Sequence, residues 1–282
     1  MAEIQQVAIG IHGDEGIELR QTLTTVSDLW TYLFPAILLL GTIFFMRDAH
    51  VPGTNFSLGA QTLPSSFGMG LAFGGLLTVA QLLIVDREDG TLLRAKATPD
   101  GMAAYVIGKI THISGTTLVG LVLTLTLGLV AFPGVHLTGP GVATLAGVAV
   151  LGLLATIPIG ITLGSLLPNP RFMALVLLPF GALTAISGVF YPITHLPGWM
   201  QGIGQLFPMY WLGLGMRAAL LPPGLASVEI GGSWRLPLVF LVLALWSVAG
   251  LAAAPPVLRR MARRESGSRL AARRERAMLR PT

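Results

Sequence analysis

Long apolar runs along this chain are separated by short charged breaks. No Asp, Glu, Lys or Arg occurs from Ile110 to Pro170, and none from Phe172 to Met216. A helix that crosses the hydrocarbon core of a bilayer needs about 20 apolar residues, and these stretches are too long for soluble core helices. The runs are continuous and do not alternate, which predicts helices and not a barrel. The breaks define six spans. The first is about 29–46, closed by Arg47-Asp48, and the second about 64–85, stopped by Asp86-Arg87-Glu88-Asp89. The third is about 110–132, closed by Pro133-Gly134, and the fourth about 141–166, ended by Pro168-Asn169-Pro170-Arg171. The fifth is about 172–190 and the sixth about 236–254, before Pro255-Pro256. The predicted fold class is an all-α polytopic membrane protein.

Two segments break this pattern. Residues 191–235 are apolar but interrupted by Pro192, Pro197, Pro208, Pro222 and Pro223, with Trp199, Tyr210 and Trp211 interleaved. So many prolines argue against a full span. Short re-entrant or interfacial helices, with Trp and Tyr at headgroup depth, fit better than a partly buried external loop. Residues 16–28 carry Ile17, Leu19, Leu23 and Val26, a spacing that suits either a helix flat on the inner leaflet or a plain leader into the first span.

Charge sets the orientation. With the N-terminus inside, the inner side holds Arg20, Arg87, Arg94, Lys96, Lys109, Arg171 and nine Arg after position 258, while the outer side holds Arg47, Arg217 and Arg235. Inner loops carry the excess of Lys and Arg, so both termini are expected in the cytoplasm. The tail 259–282 is then a basic cytoplasmic extension, either a solvated topology anchor or a lipid-binding patch. Residues 1–28 hold five acidic residues and one Arg, the reverse of a signal peptide's basic start. The first apolar segment is therefore expected to persist in the mature chain. Composition agrees with the class, since 53% of residues are hydrophobic and 11% charged, against roughly 25% charged in soluble domains. Sixteen Arg to two Lys, with abundant Ala, Gly and Leu, looks like a high-GC bacterial coding bias, and with the predicted spans the expected location is the bacterial cytoplasmic (inner) membrane.

Candidate chemistry is sparse. No cysteine is present, which excludes disulfides and thiolate metal sites. His12, His50, His136 and His195 lack metal-ligand spacing, so no metal site is expected. The predicted spans contain no carboxylate to carry a proton, and Glu229 is the only acid between Asp100 and Glu265. Clustered acids for membrane hydrolase chemistry are likewise missing. His112 lies one turn from Lys109, either tuning a polar path or snorkelling to the interface. Gly108-Lys109 is not a phosphate loop, because position 103 is Ala and position 110 is Ile. Active transport by this chain therefore needs an energy source on a partner. An ATP-independent secondary transporter or channel, using sodium through backbone carbonyls, is the alternative.

Two motif series add to this. The first follows the second span: Asp86-Arg87-Glu88-Asp89-Gly90-Thr91-Leu92-Leu93-Arg94-Ala95-Lys96-Ala97-Thr98-Pro99, then Gly108-Lys109. The second is Ser187-Gly188-Val189-Phe190-Tyr191-Pro192, Leu196-Pro197-Gly198-Trp199-Met200-Gln201, Pro208-Met209-Tyr210 and Arg217. Together, in this order against the spans, they resemble the ABC-2 type permeases, especially the drug-exporter branch that includes the daunorubicin exporters. One departure is Arg20-Gln21-Thr22-Leu23, where the family often has Arg-Asn-Pro.

The resemblance implies a transmembrane domain over 1–258 and a division of labour. Two permease chains, identical or related, would form the pathway, and two ATP-binding cassette ATPase subunits would dock beneath. This chain would bind no cofactor, with ATP and Mg on the ATPases. Glu88, Asp89, Gly90, Thr91, Leu92, Arg94, Lys96, Thr98 and Pro99 would form the element the ATPase pushes. The residues themselves are compatible. Gly90 permits a sharp turn, Thr98-Pro99 reads as an N-cap with Pro at the first helical position, and Arg94 and Lys96 suit an acidic groove. Glu88 is expected to anchor the loop by pairing with a basic group. Gly188, Pro192, Pro197, Trp199, Pro208, Tyr210 and Arg217 would form the outer re-entrant motif. Gly70 with Gly74, and Gly160 with Gly164, form small-xxx-small pairs, within one subunit or between two, with packing inside the subunit favoured. Pro35, Pro158 and Pro179 predict kinks. Apolar spans of little charge imply a hydrophobic drug, lipid or similar amphipathic cargo.

Overall fold

The computed structural model describes residues 41, 43–46, 48–51, 56–99, 101–132, 135–167 and 170–264. Four helices there are long and apolar enough to cross a membrane: Leu58–Glu88, Gly101–Ala131, Gly139–Leu166 and Leu236–Met261. The expected first span with its Pro35, the interfacial segment 16–28, and most of the basic tail fall largely or wholly outside the described residues.

The first of the four helices is composite. Helix α1 (Leu58–Ala72) passes through a π-helical stretch (Phe73–Thr78) into α2 (Val79–Glu88). It begins earlier than expected because the Ser57 hydroxyl accepts a bond from the Ala60 amide, which fixes the N-terminus nearly two turns before Pro64. Helix α3 (Thr91–Lys96) follows, then α4 (Gly101–Ala131) and α5 (Gly139–Leu166). Thr138 caps α5 by accepting from the Gly141 amide, with Pro140 in its first turn.

The expected fifth span is shorter than predicted. A 3-10 turn, Pro170–Met173, leads into α6 (Ala174–Ile186). The apolar helix Arg171–Ile186 would reach only about 24 Å at 1.5 Å per residue, short of a hydrocarbon core of about 30 Å. Helices α7 (Gly198–Leu206) and α8 (Pro208–Leu220) come next. Their prolines do not break them. Pro197 is the N-cap of α7 and Pro208 sits in the first turn of α8, where a missing amide hydrogen costs nothing.

The last helix, α9 (Leu236–Arg264), continues through Pro255 and Pro256, where the sequence predicted its end. Packing carries it on. Leu258 and Met261 are buried with Leu83 of α2 and Leu92 of α3.

Close backbone contact binds the centre. A Cβ on Gly68 would lie 2.5 Å from the Gly213 nitrogen of α8, and one on Gly160 would lie 2.5 Å from the Gly75 carbonyl oxygen. Gly160 and Gly164 therefore pack inside the subunit, against Val79 and Ala80 of α2. Gly74 meets Thr117 of α4, again internally. Gly70 differs, with nothing within 4 Å of a Cβ there. The expected internal contact of the Gly70–Gly74 pair thus holds only for Gly74, because Gly70 lies on the open face of α1.

Candidate functional site

The segment between α2 and α4 forms an elbow around α3. Gly90 has φ 87°, a left-handed conformation that glycine adopts without penalty. Asp89 Oδ1 accepts from the Thr91 amide at 2.8 Å, and Arg94 donates to the Thr91 hydroxyl at 2.8 Å. Partial burial pushes the Asp89 carboxyl up, but the Thr91 bonds and the charges of Arg94 and Lys109 outweigh it. Its pKa lies below the ordinary value. Leu92 is fully buried beneath α3, whereas Arg94, Lys96, Thr98 and Pro99 are exposed. The elbow is thus a short helix seated on one apolar residue, with its basic side chains outward.

Thr98-Pro99 adjoins the next helix across position 100, which lies outside the described residues. Helix α4 begins at Gly101, whose amide donates to the Thr98 carbonyl. The Thr98 hydroxyl donates to the Ala95 carbonyl, which closes α3. A Cβ at position 101 would collide with Thr98 Oγ1 and Ala95 O, which is why glycine stands at this turn.

Glu88 is not the anchor. It is exposed and makes no ion pair among the described residues. Its two predecessors are buried and do that work. Asp86 Oδ2 accepts from Tyr105 at 2.6 Å and pairs with Lys109 at 2.7 Å. Tyr105 and Lys109 are one turn apart on α4, so both reach one carboxylate. Arg87 Nη2 donates to the Gly164 carbonyl at 2.7 Å and to the Leu167 carbonyl. These carbonyls end α5, where helical acceptors lack partners and the helix dipole favours a cation.

The second motif series gathers at the opposite end of the bundle. Arg217 of α8 is completely buried. Its Nε donates to Glu229 Oε1 at 2.8 Å, and its Nη1 donates to Ser65 of α1 at 2.7 Å and to the Gly188 carbonyl at 3.1 Å. Gly188 has φ +66° and turns the chain sharply after α6, aiming that carbonyl at the guanidinium. Arg217, read from the sequence as an outer-side charge, forms with Glu229 one buried pair joining four segments.

Tyr210 is also fully buried, and Arg235 donates to its hydroxyl and to Gln205 Oε1 at 3.0 Å. The Arg235 guanidinium lies 5.0 Å from the Trp211 ring centroid, within cation–π range. Pro192 leads into the 3-10 turn Ile193–His195. Trp199 stands exposed on α7, whose glutamines face inward: Gln201 donates to the Leu196 carbonyl at 2.8 Å. Among the described residues, no group of three or more His, Asp or Glu gathers to hold a metal.

The profile of a known family, described as ABC-2 family transporter protein, matches residues 53–249, more than two thirds of the chain. The chain belongs to the ABC-2 family of transporter proteins. Membership makes it the membrane-spanning permease subunit of an ATP-binding cassette transporter, a multi-pass membrane protein. ABC-2 permeases typically pair with ATP-binding cassette ATPase subunits and generally lack an ATPase site of their own. None of the curated proteins matches the chain. All residues of both networks of this ABC-2 permease lie within the matched segment.

The residues missed from the sequence are Asp86, Arg87, Tyr105, Ser65 and Glu229. For Glu229 a signal existed. A lone acid amid so many uncharged residues requires a partner if buried, and Arg217 is the nearest cation before it in the chain.

Proposed function

We propose that this ABC-2 permease exports a hydrophobic drug, lipid or similar amphipathic compound from a bacterial cell, driven by ATP hydrolysed on separate subunits. In this reading the chain crosses the inner membrane six times, with both termini and the elbow in the cytoplasm. Helices α7 and α8 lie re-entrant or interfacial on the outer side. Two permeases, identical or paralogous, and two ATPases complete the complex, and ATP and Mg reside on the ATPases. The motif series of the drug-exporter branch supports the cargo class and the outward direction.

One observation carries the ATP-driven reading. Helix α3 is held from below by Leu92 and presents Arg94 and Lys96 to solvent at the end of the bundle. Such an element can receive a push from a docked protein and pass it on, because its single buried anchor lies in a cluster with side chains of α2 and α9, against which Met102, Tyr105 and Val106 of α4 pack. Charge complementarity would orient an acidic partner there.

Reconstitution in proteoliposomes with and without the ATPase tests the proposal, using a panel of fluorescent hydrophobic dyes. Accumulation against a gradient is expected only with the ATPase and ATP together. Uphill accumulation by the permease alone would refute it.

A further inference from the structure

Asp86 and Arg87 are adjacent in sequence, lie directly before the elbow, and grip different helices. The Arg87 side belongs to a tight body. Helices α2 and α5 approach so closely that a Cβ on Gly164 would lie 2.8 Å from the Ala80 carbonyl oxygen, and Arg87 closes their ends with two bonds to α5 carbonyls. The Asp86 side is looser. Helix α4 meets the preceding helix at Gly128–Leu63 and at Gly74–Thr117. Towards the elbow an apolar cavity of about 20 Å³ separates it from its neighbours, lined in part by Val79, Leu83, Ile110, Ile113 and Ile161. Side chains at such a gap lose dispersion contacts. The end of α4 rests Met102, Tyr105 and Val106 on the cluster of Leu83, Leu92, Leu258 and Met261, and beside the cavity its polar ties to α2 are Tyr105 and Lys109 on Asp86.

We infer that Asp86 is a releasable latch for α4, whereas Arg87 locks α2 and α5 into one body. A displacement of α3 then moves α4 and leaves α5 in place. Both are positioning residues: they touch no cargo and act through the helices they hold. What drives the displacement rests on the ATP-coupled reading above. The latch itself does not.

The cysteine-free sequence allows spin labels at chosen sites without background. Exposed positions Ile107 on α4, Leu166 on α5 and Val85 on α2 provide two cysteine pairs, 107 with 166 and 85 with 166. Distances are read by pulsed electron paramagnetic resonance on the full chain in nanodiscs without ATPase. Asp86→Asn should lengthen and broaden the 107–166 distribution and leave 85–166 unchanged. Tyr105→Phe, a milder change, should shift 107–166 in the same direction by less. The charge swap D86K/K109D should restore the wild-type distribution, which a purely structural defect would not. Arg87→Gln should instead broaden 85–166. Unchanged 107–166 in both Asp86→Asn and Tyr105→Phe, or equal shifts of both pairs, overturns the inference. Adding ATPase and ATP to the wild type separates the two readings. If the latch variants behave as stated but nucleotide moves neither pair, the ATP-driven reading fails and the latch stands.

Discussion

The two ends of the bundle each place an Arg or Lys against an acid, yet they are built oppositely. At the elbow, Lys109 and Asp86 keep side chains 26% and 11% exposed, and the pair joins two helices across a gap. At the far end, Arg217 and Glu229 are each 1% exposed, and the guanidinium also binds α1 and the turn after α6. Water screens and replaces the first pair when it opens. No solvent reaches the second, so separating it strands two charges at a cost that forbids routine opening. By exposure alone, the elbow pair is the easier of the two to open.

The comparison breaks first at Arg217. Arg217→Ala leaves Glu229 buried without its cation and should destabilise the protein by about 3–5 kcal/mol, seen as lost monodisperse yield and a large fall in Tm. R217M/E229Q, which removes both charges, should recover much of that loss. A double variant as unstable as the single one would mean that burial of charge is not what matters there. Next, Gly160→Val forces side-chain volume into the Gly75–Leu76 backbone of the neighbouring helix and should cost about 1–3 kcal/mol. Gly70→Val on the open face should cost far less, and Tm values compare the two. Third, Asp86→Asn should lower stability by only about 1 kcal/mol, since its partner Lys109 is partly solvated. Smallest of all, Arg94→Ala and Glu88→Ala should each leave Tm nearly unchanged, within about 0.5 kcal/mol. Arg94→Ala should nonetheless uncouple ATP hydrolysis from transport in proteoliposomes.

Much of this architecture was legible from hydropathy and glycine placement. The helices Gly139–Leu166 and Leu236–Met261 lie close to where the apolar runs put them, and Gly90, Gly160 and Gly164 do the work their chemistry suggested. Proline misled at Pro64 and Pro255-Pro256, because a neighbour's packing can carry a helix past a missing amide hydrogen. At the elbow, the expected anchor Glu88 sits two residues beyond Asp86, roughly 200° around the helix at 3.6 residues per turn. Composition does not reveal which of four consecutive charges faces inward; only the approach of α4 and α5 decides it. The Arg217–Glu229 pair was hidden for a similar reason. Counting Arg217 as an outer-side charge assumed solvent, and the folding of 208–229 back onto α1 removed it.

In the ATP-driven reading a nucleotide-binding partner acts on α3. A photo-crosslinking residue at position 94 tests it most directly, in the full chain co-expressed with its ATPase in native membranes, with the same residue at Val150, on the exposed side of α5, as control. The account predicts a covalent adduct with the ATPase from position 94 and none from position 150. An ATPase that copurifies yet crosslinks at neither position, or ATP-dependent transport that persists when α3 carries only alanine, would contradict it.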